Sequence, residues 1–261
     1  MAQLEARQIA EFGLYFKDHL TDYSVIGGAA TLLYLEERLP GRHGKATKDL
    51  DIAVLDISPN GKESAFLSRF KKYIDEMGYE FFVGKTNEVH AYRFVNPKKE
   101  LAPSKIEIAT RQIDGLGLKS TDAQRLTEYD ISAIVCDPLY IEHLRQNSEP
   151  KQLSGTGGGH VNIAKIGPII LMKSLAYINL IVGDAKSQDH ANRHAADIIR
   201  LSGILIDSDR IQVSAELWEP LEKLFAMKEK AFQLNRIAVT RGKGIDADRV
   251  IADIQKFISK I

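Results

Sequence analysis

The chain has 261 residues, of which 44% are hydrophobic, 27% are charged and 8 are proline, a composition that excludes a disordered, fibrous or membrane-embedded protein. Its 35 basic residues balance 35 acidic ones, so no overall field favours a nucleic acid or an anionic membrane surface. The lone cysteine, Cys136, rules out an intrachain disulfide framework and suits a reducing cytoplasm, while the length allows one large domain or two modest ones.

Leu4, Ile9, Phe12, Leu14, Phe16 and Leu20 recur at roughly helical spacing and predict an amphipathic opening helix. Glu5, Arg7, Glu11, Lys17 and Asp18 interrupt them, leaving neither the apolar run nor the cleavage site of a signal peptide. Tyr23 to Ile26 reads as a short buried strand, Gly27-Gly28 as a tight turn, and Ala29 to Arg38 as a helix closed by Pro40-Gly41. A basic loop from Gly41 to Lys48 leads into a strand over Leu50 to Leu55, ended by Ser58-Pro59-Asn60-Gly61. Ser64 to Met77 has helical periodicity, and Tyr79 to Val83, Val89 to Val95 and Lys105 to Thr110 read as strands. From Ile131 to Leu144 two short strand-like or helical pieces surround Asp137-Pro138.

Gln146 to Gly159 is polar and glycine-rich and predicts a boundary between residues 1–150 and residues 151–261. The run Gly155 to Gly159 lacks the Gly-Lys-Ser/Thr ending of a phosphate loop, so a linker is the better reading. Beyond it, Ile166 to Val182, Asp189 to Ser202, Ser214 to Phe232 and Asp246 to Ile261 carry helical patterns without strand signals. Lys173, Ser174 and Asn179 make the first of these too polar for a bilayer span. The expected fold class is α+β: an N-terminal mixed sheet flanked by helices, then a C-terminal helical bundle. His160, His190 and His194 show no metal spacing, and Trp218 fits an apolar helix stripe that packs in a core.

Chemistry concentrates at Asp49-Leu50-Asp51. Side chains alternate along a strand, so both carboxylates point to one face, where a divalent cation would relieve their repulsion. All-oxygen ligands favour Mg²⁺ or Mn²⁺. Gly27-Gly28, between a strand and a helix, is suited to an anion because the backbone is uncovered and the helix N-terminus is positive.

Ile26-Gly27-Gly28 followed by Asp49-Leu50-Asp51-Ile52 resembles the polymerase-β-like nucleotidyltransferases, whose signature is a strand, a Gly-Gly or Gly-Ser turn, a helix and an acidic pair on the next strand. The run Lys45-Ala46-Thr47-Lys48-Asp49-Leu50-Asp51 is similar to the abortive-infection toxin-like (AbiEii-like) bacterial branch, and the likeness extends from about Tyr23 to Leu201. The resemblance implies that Glu107, in Lys105-Ile106-Glu107-Ile108, is the third carboxylate, with Asp49, Asp51 and Glu107 catalytic and binding Mg²⁺ or Mn²⁺. It also implies that Gly27, Gly28, Thr47, Lys48, Lys173, Arg193 and Asp197 bind nucleotide. The implied reaction is two-metal, in-line transfer of a nucleoside monophosphate from an NTP to RNA, a protein side chain or a small molecule, with pyrophosphate leaving. A second reading is a non-catalytic nucleotide-binding or interaction module, the toxin-like member of a pair with an antitoxin partner.

Overall fold

A computed structural model describes residues 4–40, 47–56, 64–84, 89–111, 123–125, 132–153, 159–233 and 246–261. The chain divides into two units, the first taking Met1–Leu32 and Lys45–Ala164, the second Leu33–Gly44 and Lys165–Ile261.

In the first unit, β1 (Tyr23–Ile26) is buried at every position because it is flanked on both sides. It pairs antiparallel with β2 (Leu50–Val54) and parallel with β9 (His160–Ala164). β5 (Lys105–Arg111) runs parallel to β2 and alternates half-buried with buried residues, so Ile106, Ile108 and Thr110 share the inward face. The far edge of β5 takes β4 (Val89–Val95) antiparallel along its first residues and β7 (Ser132–Cys136) parallel along its last. β3 (Glu80–Val83) extends β4, β6 (Ala123–Arg125) extends β7, and β8 (Ser148–Gln152) extends β9, each antiparallel. The result is a nine-stranded mixed sheet whose main path runs β3-β4-β5-β2-β1-β9-β8.

Helices α1 (Ala6–Tyr15) and α3 (Ala65–Met77) are amphipathic, and their aromatic residues meet those of the sheet. Phe12 and Phe16 lie 4.5 Å apart between ring centroids, and Tyr23 of β1 stacks on Phe66 at 5.5 Å. Each of these rings is fully buried, and each such side chain contributes about 1.5–3 kcal/mol. Ser64 caps α3 by accepting from the Leu67 N–H at 3.2 Å, worth about 1 kcal/mol. α4 (Pro138–Gln146), opened by Pro138 behind an Asp137 cap, completes the unit's own helices.

Helix α2 (Gly27–Arg38) begins in the first unit, and its last turns belong to the second. The second unit is otherwise built from α5 (Ile166–Leu180), α6 (Ala185–Ser202), α7 (Ala215–Ala226), α8 (Lys228–Gln233) and α9 (Ala247–Phe257). α5 and α6 are packed against each other. Asp209, buried, accepts from the Arg38 guanidinium through both carboxylate oxygens, and Arg38 also donates to the Ile204 carbonyl at 2.8 Å.

The α+β architecture agrees with the expected class, and three details differ from the local pattern. The polar stretch read as a boundary contains β8 and leads into β9, so the first unit continues to Ala164 rather than ending near residue 150. Pro150 makes β8 look like a linker, yet on an edge strand its missing N–H costs little. The second unit also holds a parallel pair, β10 (Ile211–Val213) with β11 (Ile258–Lys260), three residues each and too short to leave a strand signal. The single helix expected over Ser214 to Phe232 divides at Met227 into α7 and α8. Gly155 to Gly158, Lys45, Ala46 and Ser58-Pro59-Asn60-Gly61 lie outside the described residues. Among the described residues no helix is long and apolar enough to cross a membrane.

Candidate active site

The sheet register brings two of the three expected carboxylates into one row. Ile26 of β1 lies opposite Asp51 of β2, Asp51 opposite Glu107 of β5, and Glu107 opposite Arg93 of β4. Residues level on paired strands sit about 5 Å apart, so the Asp51 and Glu107 side chains leave the same face side by side. Asp49 precedes β2 by one residue, and the Lys105 ammonium lies 3.0 Å from its Oδ2. The same ammonium is in contact with Glu107 Oε1, while Arg93 Nε lies 2.7 Å from that oxygen. The Arg93 guanidinium also sits over the Phe82 ring at 5.0 Å. Burial acts to lower the Lys105 pKa, but Glu107 and Asp49 outweigh it and hold the ammonium above its ordinary range.

The turn that opens α2 packs against these groups. Gly27 has φ +66, and a Cβ there would stand 2.2 Å from Asp51 Oδ2, so both conformation and space require glycine. A Cβ on Gly28 would lie 2.7 Å from Thr47 Oγ1. The strand-turn-helix pattern therefore sets the positive end of a helix directly on the Asp51 carboxylate. The two residues before Asp49 are tied down: Thr47 O accepts from Leu4 N at 3.0 Å, and Lys48 O accepts from Ser104 Oγ at 3.1 Å. Lys48 itself is exposed.

The remaining expected residues belong to the second unit. Lys173 of α5 is buried, and it finds its partner in Asp197 of α6, 2.7 Å away. Arg200 donates to the other oxygen of Asp197 at 3.0 Å. Arg193 does not join them and instead bonds Asp189 at 2.7 Å on an exposed face. Asp189 and Asp197 each lie four residues from Arg193, so helix geometry offers it either acid; both oxygens of Asp197 are already held by Lys173 and Arg200, and Arg193 pairs with Asp189. His194 lies beside this cluster, its pKa pushed down to about 4, first by burial and then by the Lys173 charge.

No family model and no curated protein matches the chain. Among solved structures it is similar to an antigenic nucleotidyltransferase-like protein from Paracoccidioides brasiliensis, at 16% identity and a TM-score of 0.47, over 95% of this chain and 98% of that one. It is also similar to the antibiotic-resistance factor ANT(2'')-Ia, at 10% identity and a TM-score of 0.38, over 87% of this chain and 97% of that one. This chain's own residues carry the chemistry.

The donor set suits a divalent cation in kind, since Asp49, Asp51 and Glu107 offer only carboxylate oxygens, and Asp49 and Glu107 already converge on one cationic position. Among the described residues, no three His, Cys, Asp or Glu side chains are close enough together to hold a metal ion. The cation at that position is the Lys105 ammonium. Sequence reading passed over Lys105 and Arg93 as sites. Alternation along β5 puts Lys105 on the Glu107 face and was legible, whereas Arg93 depends on the register of β4. Arg200 was likewise legible as the i,i+3 partner of Asp197.

Proposed function

We propose that this chain is a nucleotidyltransferase that moves a nucleoside monophosphate from an NTP to an acceptor hydroxyl, and that Asp49, Asp51 and Glu107, which are not gathered closely enough to hold a metal ion as they stand, would close around Mg²⁺ or Mn²⁺ when it binds. The observation that supports it best is the shared row of Asp51 and Glu107 with the Gly27 turn lying against Asp51. A place for a cation then adjoins a place for phosphate, which is what a triphosphate with its metal requires. When bound, a divalent cation neutralises phosphate oxygens and makes the attacking hydroxyl more acidic.

The chain's own residues supply position and charge. Paired strands hold Asp51 and Glu107 in fixed register, as transfer chemistry needs from its positioning groups. Gly27 and Gly28 put no side chain on the opening turn of α2, where phosphate oxygens would meet its N–H groups beside Asp51 and Thr47. The Thr47 hydroxyl, beside Gly28, and the exposed Lys48 add a donor and a positive charge for the same phosphates.

Calorimetric titration of ATP, GTP, CTP and UTP, with and without Mg²⁺, tests this against the Asp51→Asn variant. Binding is expected to require Mg²⁺ and to disappear in the variant; full Mg²⁺-dependent binding by Asp51→Asn would sink the assignment. The pairing of Glu107 with both Lys105 and Arg93 favours a second reading, nucleotide binding without turnover. NTP binding that persists in EDTA, with no pyrophosphate released, would select it.

A further inference from the structure

Lys105 is the first residue of β5, and its backbone is fixed opposite Val95 of β4. Its side chain is mostly buried, at 15% exposure, and its one ammonium group touches Asp49 Oδ2 and Glu107 Oε1 together. These oxygens belong to two of the three carboxylates read above as metal ligands, and the inference rests on that reading. A divalent cation drawn to the same oxygens meets a positive charge already seated there, and like charges at that distance exclude each other. Arg93 differs, because of these two carboxylates it is paired with Glu107, and its planar head lies over Phe82. Lysine has a compact head on a flexible four-carbon stem and can leave without moving the strand. Phosphate oxygens of an incoming nucleotide would offer the displaced ammonium a new partner.

We propose that Lys105 is a built-in counter-ion that competes with the divalent cation for Asp49 and Glu107, so that cation binding requires its displacement. The arrangement keeps two neighbouring carboxylates neutralised between turnovers, and it makes the site's affinity for bare cation low.

The test titrates Mn²⁺ alone into the full-length chain by calorimetry, comparing wild type with Lys105→Met, Lys105→Gln and Lys105→Arg, with thermal melts to establish folding. Removing the competitor raises apparent affinity by the inverse of the fraction of time the site stands open, so both neutral variants are expected to bind Mn²⁺ about tenfold tighter. The Arg variant, which keeps a cation, is expected to stay near wild type. Equal affinity in wild type and the neutral variants overturns the competition and leaves the metal reading standing, as does an Arg variant that gains as much as the neutral ones with the charge shown irrelevant. Absence of Mn²⁺ binding in every chain, the neutral variants included, overturns the metal reading and the competition with it. Should Lys105→Met fail to fold, Lys105→Gln carries the comparison.

Discussion

At Gly27 one residue meets two demands, a left-handed backbone and contact with a carboxylate, and no side chain satisfies both. Gly27→Ala is expected to cost about 1–3 kcal/mol in backbone strain alone and to push the Asp51 carboxylate aside. Thermal melts should show the loss of stability, and NTP calorimetry should show that binding falls further than stability explains; wild-type binding by a folded Gly27→Ala would remove the turn from the site. His194 makes a prediction about pH. Its folded-state pKa of about 4 lies below the ordinary 6.5, so the folded chain favours the neutral ring. Stability from this group is complete above pH 6.5 and is lost as pH falls from there toward 4, with Lys173, His190 and Arg193 opposing protonation and Asp197 favouring it. Roughly 2–3 kcal/mol is expected to be lost from this residue by about pH 4.5, because each pKa unit is worth about 1.4 kcal/mol. Urea midpoints measured at neutral and acid pH check it: His194→Gln should show a shallower acid decline than wild type, and parallel declines would refute the assignment.

At the level of elements, helices and strands with strong local periodicity were legible almost to the residue. The strand expected over Leu50 to Leu55 is β2, Leu50–Val54, and that expected over Lys105 to Thr110 is β5, Lys105–Arg111. The helix expected over Ala29 to Arg38 is α2, which begins two residues earlier at Gly27 because the glycine turn is itself the first helical turn. β8, β10 and β11 were not legible, since strands of three to five residues are stabilised by partners remote in the chain rather than by their own pattern. The end of α2 shows what such long-range pairing contributes. Arg38 holds Asp209 by both carboxylate oxygens, and Asp209 Oδ2 also accepts from Ile206 N at 2.8 Å. Arg38→Ala leaves that buried carboxylate without its cation and is expected to destabilise the chain by about 3–5 kcal/mol, while Arg38→Ala with Asp209→Ala recovers part of the loss. Chemical denaturation of the two single variants and the double variant measures the coupling; additive losses would show that the pair contributes nothing jointly.

For the molecule as a whole, the division into units does not follow the chain. Leu33–Gly44 belongs to the second unit although it lies more than a hundred residues before the rest. A fragment starting at Lys165, or at the boundary near residue 151 that composition suggests, therefore lacks Arg38 and leaves Asp209 buried without it. Such a fragment is expected to give poorly dispersed amide resonances, and a well-dispersed spectrum would show that Leu33–Gly44 is dispensable to that unit.

The sequence by itself determined the local features: the glycines that open α2, the strand that follows Asp49 and carries Asp51, and the helical Lys173. These depend on spacing within a few residues, and spacing is written directly in the chain. Only the tertiary structure decided that Glu107 lies level with Asp51, that Lys105 and Arg93 neutralise it, and that Asp197 answers Lys173. Those outcomes depend on strand register and on the packing of one helix against another, where a one-residue slip would turn every side chain of a strand to the opposite face.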